Sequence, residues 1–155
     1  EVVLYSHDWH EAENNLGQPN LGGEGTHYTP WNQTHIREGL LVNGYWAIQV
    51  ERSGTYNFGL RRWPLELDQS ITGSIPEKKA VHGGNTLVEG KPIAVSKAMI
   101  EIAGQVLEKD FSTDTHQIDF QIQLEPGPSR LKATFEGENN IRLGAYYVYV
   151  TQVAD

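Results

Sequence analysis

Residues 43–64 read NGYWAIQVERSGTYNFGLRRWP, and the alternation inside this stretch decides the fold class. Trp46, Ile48 and Val50 alternate with Ala47, Gln49 and Glu51; beyond Arg52-Ser53-Gly54, Tyr56, Phe58 and Leu60 alternate with Asn57, Gly59 and Arg61. A period of two places one set of side chains on a buried face and the other toward solvent, so two strands joined by a tight turn are expected, read as an antiparallel hairpin. The second strand runs into Arg61, Arg62 and Trp63 at a proline, a concentration of cationic and aromatic groups at a strand end.

The same period recurs further along. Ala98, Ile100 and Ile102 alternate with polar neighbours, and Gly104 turns the chain into a strand over 106–108, a second expected hairpin. Ile118, Phe120, Ile122 and Leu124 form the clearest one-sided strand, and Pro126-Gly127-Pro128 leads into Leu131, Ala133 and Phe135, a third. The last strand, 144–151, sets Tyr146, Val148 and Val150 against Ala145, Tyr147 and Tyr149. Val2 to Tyr5 reads as a short first strand, 11–30 as a loop delivering Trp31, and 64–92, punctuated by Gly and Pro, as one long connection docked onto something or functional. About eight strands separated by Gly/Pro turns predict one all-β domain over 1–155, a two-sheet β-sandwich of jelly-roll type, similar to galactose-binding-like carbohydrate-binding modules. Trp46, Ile48, Val50, Tyr56, Phe58, Leu60, Ile100, Ile118, Phe120, Ile122, Leu131, Phe135, Val148 and Val150 are the expected core.

Composition agrees. The 155 residues suffice for one core, and 16 Gly with 7 Pro suit a turn-rich β protein. A net charge of −8 repels phosphate backbones and anionic lipid, which argues against nucleic-acid and membrane partners and leaves neutral glycans unopposed. A sulfated glycan would need a local basic patch, and Arg61-Arg62 is the only compact arginine pair. With no cysteine, disulfides and thiolate metal sites are excluded.

Several segments carry a family resemblance. HDWH at 7–10, PWNQ at 30–33 followed by His35-Ile36-Arg37, NGYWAIQV at 43–50 and LRRWPLE at 60–66 together resemble the C-terminal segment of bacterial arylsulfatase-type proteins, the type I sulfatases. The likeness continues through GKPIAVSKAMIEIAG at 90–104, DFQIQLEPGPSRLKATF at 119–135 and GAYYVYV at 144–150, so it covers nearly the whole chain. It implies a β-sandwich module that follows a catalytic sulfatase domain in the same polypeptide, in an exported, periplasmic or secreted bacterial protein. The sulfatase signature, Cys or Ser followed by x-Pro-x-Arg, would lie upstream. It is missing here: the nearest run, Ser74-Ile75-Pro76-Glu77-Lys78, has lysine where arginine is required. The expected role is therefore a non-catalytic accessory domain that docks on and stabilises the catalytic domain and shapes substrate access. The alternative is a carbohydrate-binding module for a neutral or sulfated glycan.

The candidate ligand-binding or docking residues are Trp9, His10, Trp31, His35, Arg61, Arg62, Trp63, Tyr147 and Tyr149. An indole at a strand edge can stack on the C–H face of a sugar while Arg, Asn, Gln and His bond its hydroxyls; the competing reading is ordinary core packing, or arginine stacked on tryptophan. Trp9, His10, Trp31, His35, Arg61, Arg62 and Trp63 are expected to gather at one end of the sandwich, and Tyr45, Asn57, Arg61, Trp63, Tyr147 and Tyr149 to form a second, outward-facing surface. His7-Asp8-Trp9-His10 has the wrong spacing for a transition-metal site, since residues three apart on a strand point to opposite sides. No cofactor is assigned and no catalytic or metal residue named. Calcium, which loop carboxylates and carbonyls could hold, stays open. Glu66 and Asp68 read as solvated carboxylates, with Arg62 as a partner for Glu66.

Overall fold

A computed structural model describes residues 1–14, 30, 32–80, 84 and 86–153, with only the backbone of 11–14. Its elements are β1 (Val2–Tyr5), a 3-10 turn (Ser6–Asp8), β2 (His10–Asn14), α1 (Gln33–Glu38), β3 (Val42–Val50), β4 (Gly54–Arg61), β5 (Lys97–Ile102), β6 (Gln105–Asp110), β7 (Ile118–Leu124), β8 (Gly127–Glu136), β9 (Arg142–Gly144) and β10 (Tyr147–Gln152). They form a four-stranded sheet in the order β1-β10-β4-β7 and a second sheet in the order β2-β3-β8-β5-β6, with β9 beside β8. All strand pairs are antiparallel. The expected two-sheet sandwich is the observed architecture. Among the described residues no helix is long and apolar enough to cross a membrane.

The core follows the alternation. Trp46, Val50, Phe58, Leu60, Ile100, Ile118, Phe120, Ile122, Leu131, Phe135 and Val148 are buried between the sheets, and Ile48, Tyr56 and Val150 pack half-buried against them. β7 shows the pattern most cleanly, with Asp119, Gln121 and Gln123 exposed between buried neighbours.

Two of the three expected hairpins are not hairpins. β3 pairs with β8 and β2, whereas β4 pairs with β10 and β7, so Glu51–Ser53 carries the chain from one sheet to the other. β7 and β8 are divided between the sheets in the same way. An arch that crosses a sandwich buries one parity of each strand just as a hairpin does, so alternation cannot separate them. β5 and β6 do form the expected hairpin, Ile102 opposite Gln105, with Ala103 and Gly104 both at positive φ (50° and 74°) as a two-residue turn requires. The final aromatic run also divides: β9 joins the larger sheet, Ala145 and Tyr146 cross the interior fully buried, and β10 joins the smaller.

One segment read as part of a loop and one given no element from sequence are both ordered. His10–Asn14 is a strand. Beyond Trp31, the sequence Asn32-QTHIRE-Gly39 folds as α1, its start capped by Asn32 Oδ1 accepting from the His35 N–H (3.1 Å) and its end closed by Gly39 at φ 65°. Glycine is required twice over at 39, because a Cβ would also lie 2.6 Å from Ile93 Cδ1. The long connection is docked, but onto its own domain: Ile71 and Ile75 enter the core, as do Ile93 and Val95 just beyond it, and an isolated bridge joins Lys78 to Leu87.

Candidate functional site

The eight candidate residues among those described separate into a buried hub and a remainder outside it. Trp9 and Trp63 are buried, the latter at 1% exposure, and Arg62 is fully enclosed at 0%. Arg62 lies over the Trp63 ring, 4.3 Å from its centroid. The guanidinium faces main-chain carbonyls: Nη1 donates to Gly73 O (3.0 Å), and Nη2 to Lys91 O (2.6 Å) and to Ile36 O and Arg37 O at the end of α1 (3.4 and 3.5 Å). The expected pairing with Glu66 gives way to these bonds. One planar fork thus ties α1, the turn at Gly73 and the strap at Lys91 together, and the helix terminus supplies the partial negative charge. Arg37 acts alongside it, donating to Pro76 O and Val88 O. Trp9 reaches the same region from the other side, stacked on Tyr146 at 6.1 Å, whose hydroxyl donates to Leu40 O. Neither described indole offers an open face to a sugar. Trp31 lies outside the described residues.

Burial shifts the ionisation of this hub. Desolvation pulls the Arg62 guanidinium down to about 10, opposed by Tyr146, and leaves it charged at neutral pH. Desolvation also drives the Tyr146 phenol well above its ordinary value, with Arg62 opposing, and raises Tyr147 and Tyr149. Above about pH 10 the unfolded tyrosines ionise while the folded ones hold their protons, so stability falls as pH rises. Arg62 acts with the opposite sign above about pH 10, where the unfolded chain holds the proton the folded chain has lost. Three tyrosines against one arginine predict a net alkaline loss of Tm beyond pH 10, with a flatter decline in Tyr146→Phe. A thermal melt series from pH 8 to 11.5 checks this; an unchanged slope in the variant would contradict it.

The other described candidates lie outside this hub, with Arg61 and Tyr147 buried on the outer face of the smaller sheet. In register across the smaller sheet stand Tyr5, Tyr147 and Arg61, and next to them Val3, Tyr149 and Gly59. This is the outward parity expected for Tyr147, Tyr149 and Arg61, whereas Trp63 turns inward. Residues 64–67 fold back over Arg61, whose Nε donates to Trp63 O (3.0 Å) and Nη2 to Leu67 O (3.3 Å), so this arginine is buried as well. The Leu65 N–H donates to the Tyr149 hydroxyl (2.9 Å). His10 is exposed and stacks on Tyr45, 5.6 Å between centroids, with Arg130 over the same tyrosine ring. His35 is half-buried within α1.

Beside Tyr147 opens a cleft of about 230 Å³, walled by the 3-10 turn, the start of α1 and the start of β10. Tyr5, Ser6, His7, Pro30, Asn32, Gln33, Ile36, Tyr146 and Tyr147 line it. Tyr5, 42% exposed, stacks on His7 (5.7 Å, 25°) and meets Tyr147 edge-on (5.8 Å, 79°). Gln33 Nε2 donates to the Tyr147 hydroxyl (2.9 Å), which keeps its own proton to donate onward. Ser6, His7 and Asp8 have the residue types of a hydrolase triad, but Ser6 Oγ is buried and donates to Pro30 O, while His7 Nε2 faces Asp8 Oδ1 at 3.1 Å. That hydroxyl is a structural tie, unlike an activated nucleophile. Of the cleft's walls only Tyr147 was singled out from sequence. The signal for the others was the PWNQ segment: the helix cap at Asn32 fixes where Gln33 stands.

The sequence matches no family model and no curated protein. Among solved structures, a family 35 carbohydrate binding module from Clostridium thermocellum aligns with 98% of this chain over 98% of its own, at 19% identity and a TM-score of 0.46.

Proposed function

We propose that this chain is a non-catalytic glycan-binding β-sandwich module, with the cleft between the 3-10 turn and α1 as its saccharide site. The observation that carries the reading is the composition of that cleft: an exposed, pre-stacked Tyr5–His7 ring pair beside the amide of Gln33 and the hydroxyl of Tyr147. Ring faces take the C–H surface of a pyranose, and amide and hydroxyl groups take its hydroxyls, the usual division of labour in a concave site. The priority of the two functions drawn from sequence is thereby reversed, because Trp9 and Trp63 are interior while this cleft opens to solvent.

A panel of neutral gluco-, manno-, xylo- and galacto-oligosaccharides titrated by calorimetry tests it. Tyr5→Ala is expected to weaken the best ligand about tenfold, the equivalent of one aromatic face. Binding unchanged by Tyr5→Ala and Gln33→Ala would move the site elsewhere.

A second observation favours the accessory-domain reading. Tyr5, Leu65 (55% exposed) and Leu67 present apolar surface around the tyrosine row of the smaller sheet. Such a rim suits a neighbouring domain, and the arylsulfatase-like resemblance supplies one: an upstream catalytic domain in an exported protein. Absence of binding across the panel would leave docking as the function of this face.

A further inference from the structure

We infer that the cleft selects uncharged saccharides and discriminates against sulfated ones, an inference that rests on the glycan-binding reading. Its basis is where the positive charges lie. Residues 1–36, which contribute the 3-10 turn and the start of α1, contain no lysine or arginine, yet carry Glu1, Asp8, Glu11, Glu13 and Glu24. The first cation in the chain, Arg37, is buried and engaged with the carbonyls of Pro76 and Val88. The arginine pair that could have answered a sulfate is internal: Arg61 donates to Trp63 O and Leu67 O, and Arg62 to four carbonyls.

Among the described residues no lysine or arginine lines the cleft. Among the described residues its lining holds one imidazole, that of His7, whose Nε2 faces the Asp8 carboxylate at 3.1 Å. Glu66 follows Leu65, whose N–H donates to the Tyr149 hydroxyl, so this carboxylate belongs to the segment beside the tyrosine row that includes Tyr147. The start of α1 offers no substitute: the helix has six residues and Asn32 occupies its cap. A sulfate ester entering the cleft would give up hydration without a counter-charge while meeting two nearby carboxylates, Asp8 and Glu66. Joined to a sulfatase, such a module would hold the desulfated product or unsulfated stretches of a polymer, and leave the sulfate ester to the catalytic domain.

The test pairs the best neutral oligosaccharide with its monosulfated counterpart, titrated into the intact chain at 20 mM and 300 mM sodium chloride, as ~low and ~high screening conditions. The sulfated ligand is expected to bind at least about tenfold more weakly at low salt, with the gap narrowing at high salt and in Asp8→Asn and Glu66→Gln. Equal or tighter binding of the sulfated ligand, weakening as salt is added, would overturn the inference and leave the glycan site standing. Failure of both ligands would remove the glycan reading itself, and this inference with it.

Discussion

Arg62→Ala is expected to lower the stability of the domain by about 3–5 kcal/mol, the range for breaking a buried, fully engaged charge, and to lower Tm by on the order of 10 °C. The side chain is wholly enclosed and bonds carbonyls from three separate segments, so its removal empties a volume beneath Trp63 and strands Gly73 O and Lys91 O. Arg62→Met separates these causes: it keeps most of the packing and removes the donors, so it should retain the larger part of the loss if the carbonyls dominate. Arg62→Lys should be no rescue, because one ammonium cannot reach Gly73 O, Lys91 O and the end of α1 together. Urea unfolding of the three variants reads this directly. A loss below about 1 kcal/mol in Arg62→Ala would mean that the long connection holds its place without the fork.

Phe120→Ala is the second large effect, expected at about 3–5 kcal/mol. Phe120 sits at the middle of β7, opposite Phe58 of β4 and almost wholly buried, so truncation removes a ring from the centre of the core and leaves a cavity between the sheets. Strands on both sides resist collapse into it, which places the cost in the upper part of the large-to-small range. Gln121→Ala, one position along and exposed, is the control and should stay within ~0.5 kcal/mol of the parent. Comparable losses in the two variants would contradict the register of β7.

Much of this molecule is legible in its sequence, and the legible parts share one property: they depend on near neighbours in the chain. Alternation in 46–60, 98–102, 118–124 and 131–135 identifies strands and the face each one buries, because a period of two is a property of a single extended segment. The parity of Tyr147 and Tyr149 is read in the same way. Asn32 and Gly39 around QTHIRE were equally local signals for α1, and the segment was passed over only because six residues show little periodicity.

Tertiary structure decided the rest. Whether β3 and β4 form a hairpin or cross the sandwich depends on which strands arrive from elsewhere to pair with each edge, and the two outcomes bury the same residues. The fate of Arg61-Arg62-Trp63 was likewise hidden. A guanidinium looks the same in the sequence whether it awaits a sulfate or gathers the carbonyls of Gly73, Ile36, Arg37 and Lys91, residues far from it along the chain. By itself the sequence determined the all-β class, the core and the lack of cations in residues 1–36. Only the folded chain, by bringing Tyr5 and His7 against Gln33 and Tyr147, turned that lack into a property of one cleft, because a site is defined by distances in space that no local period encodes.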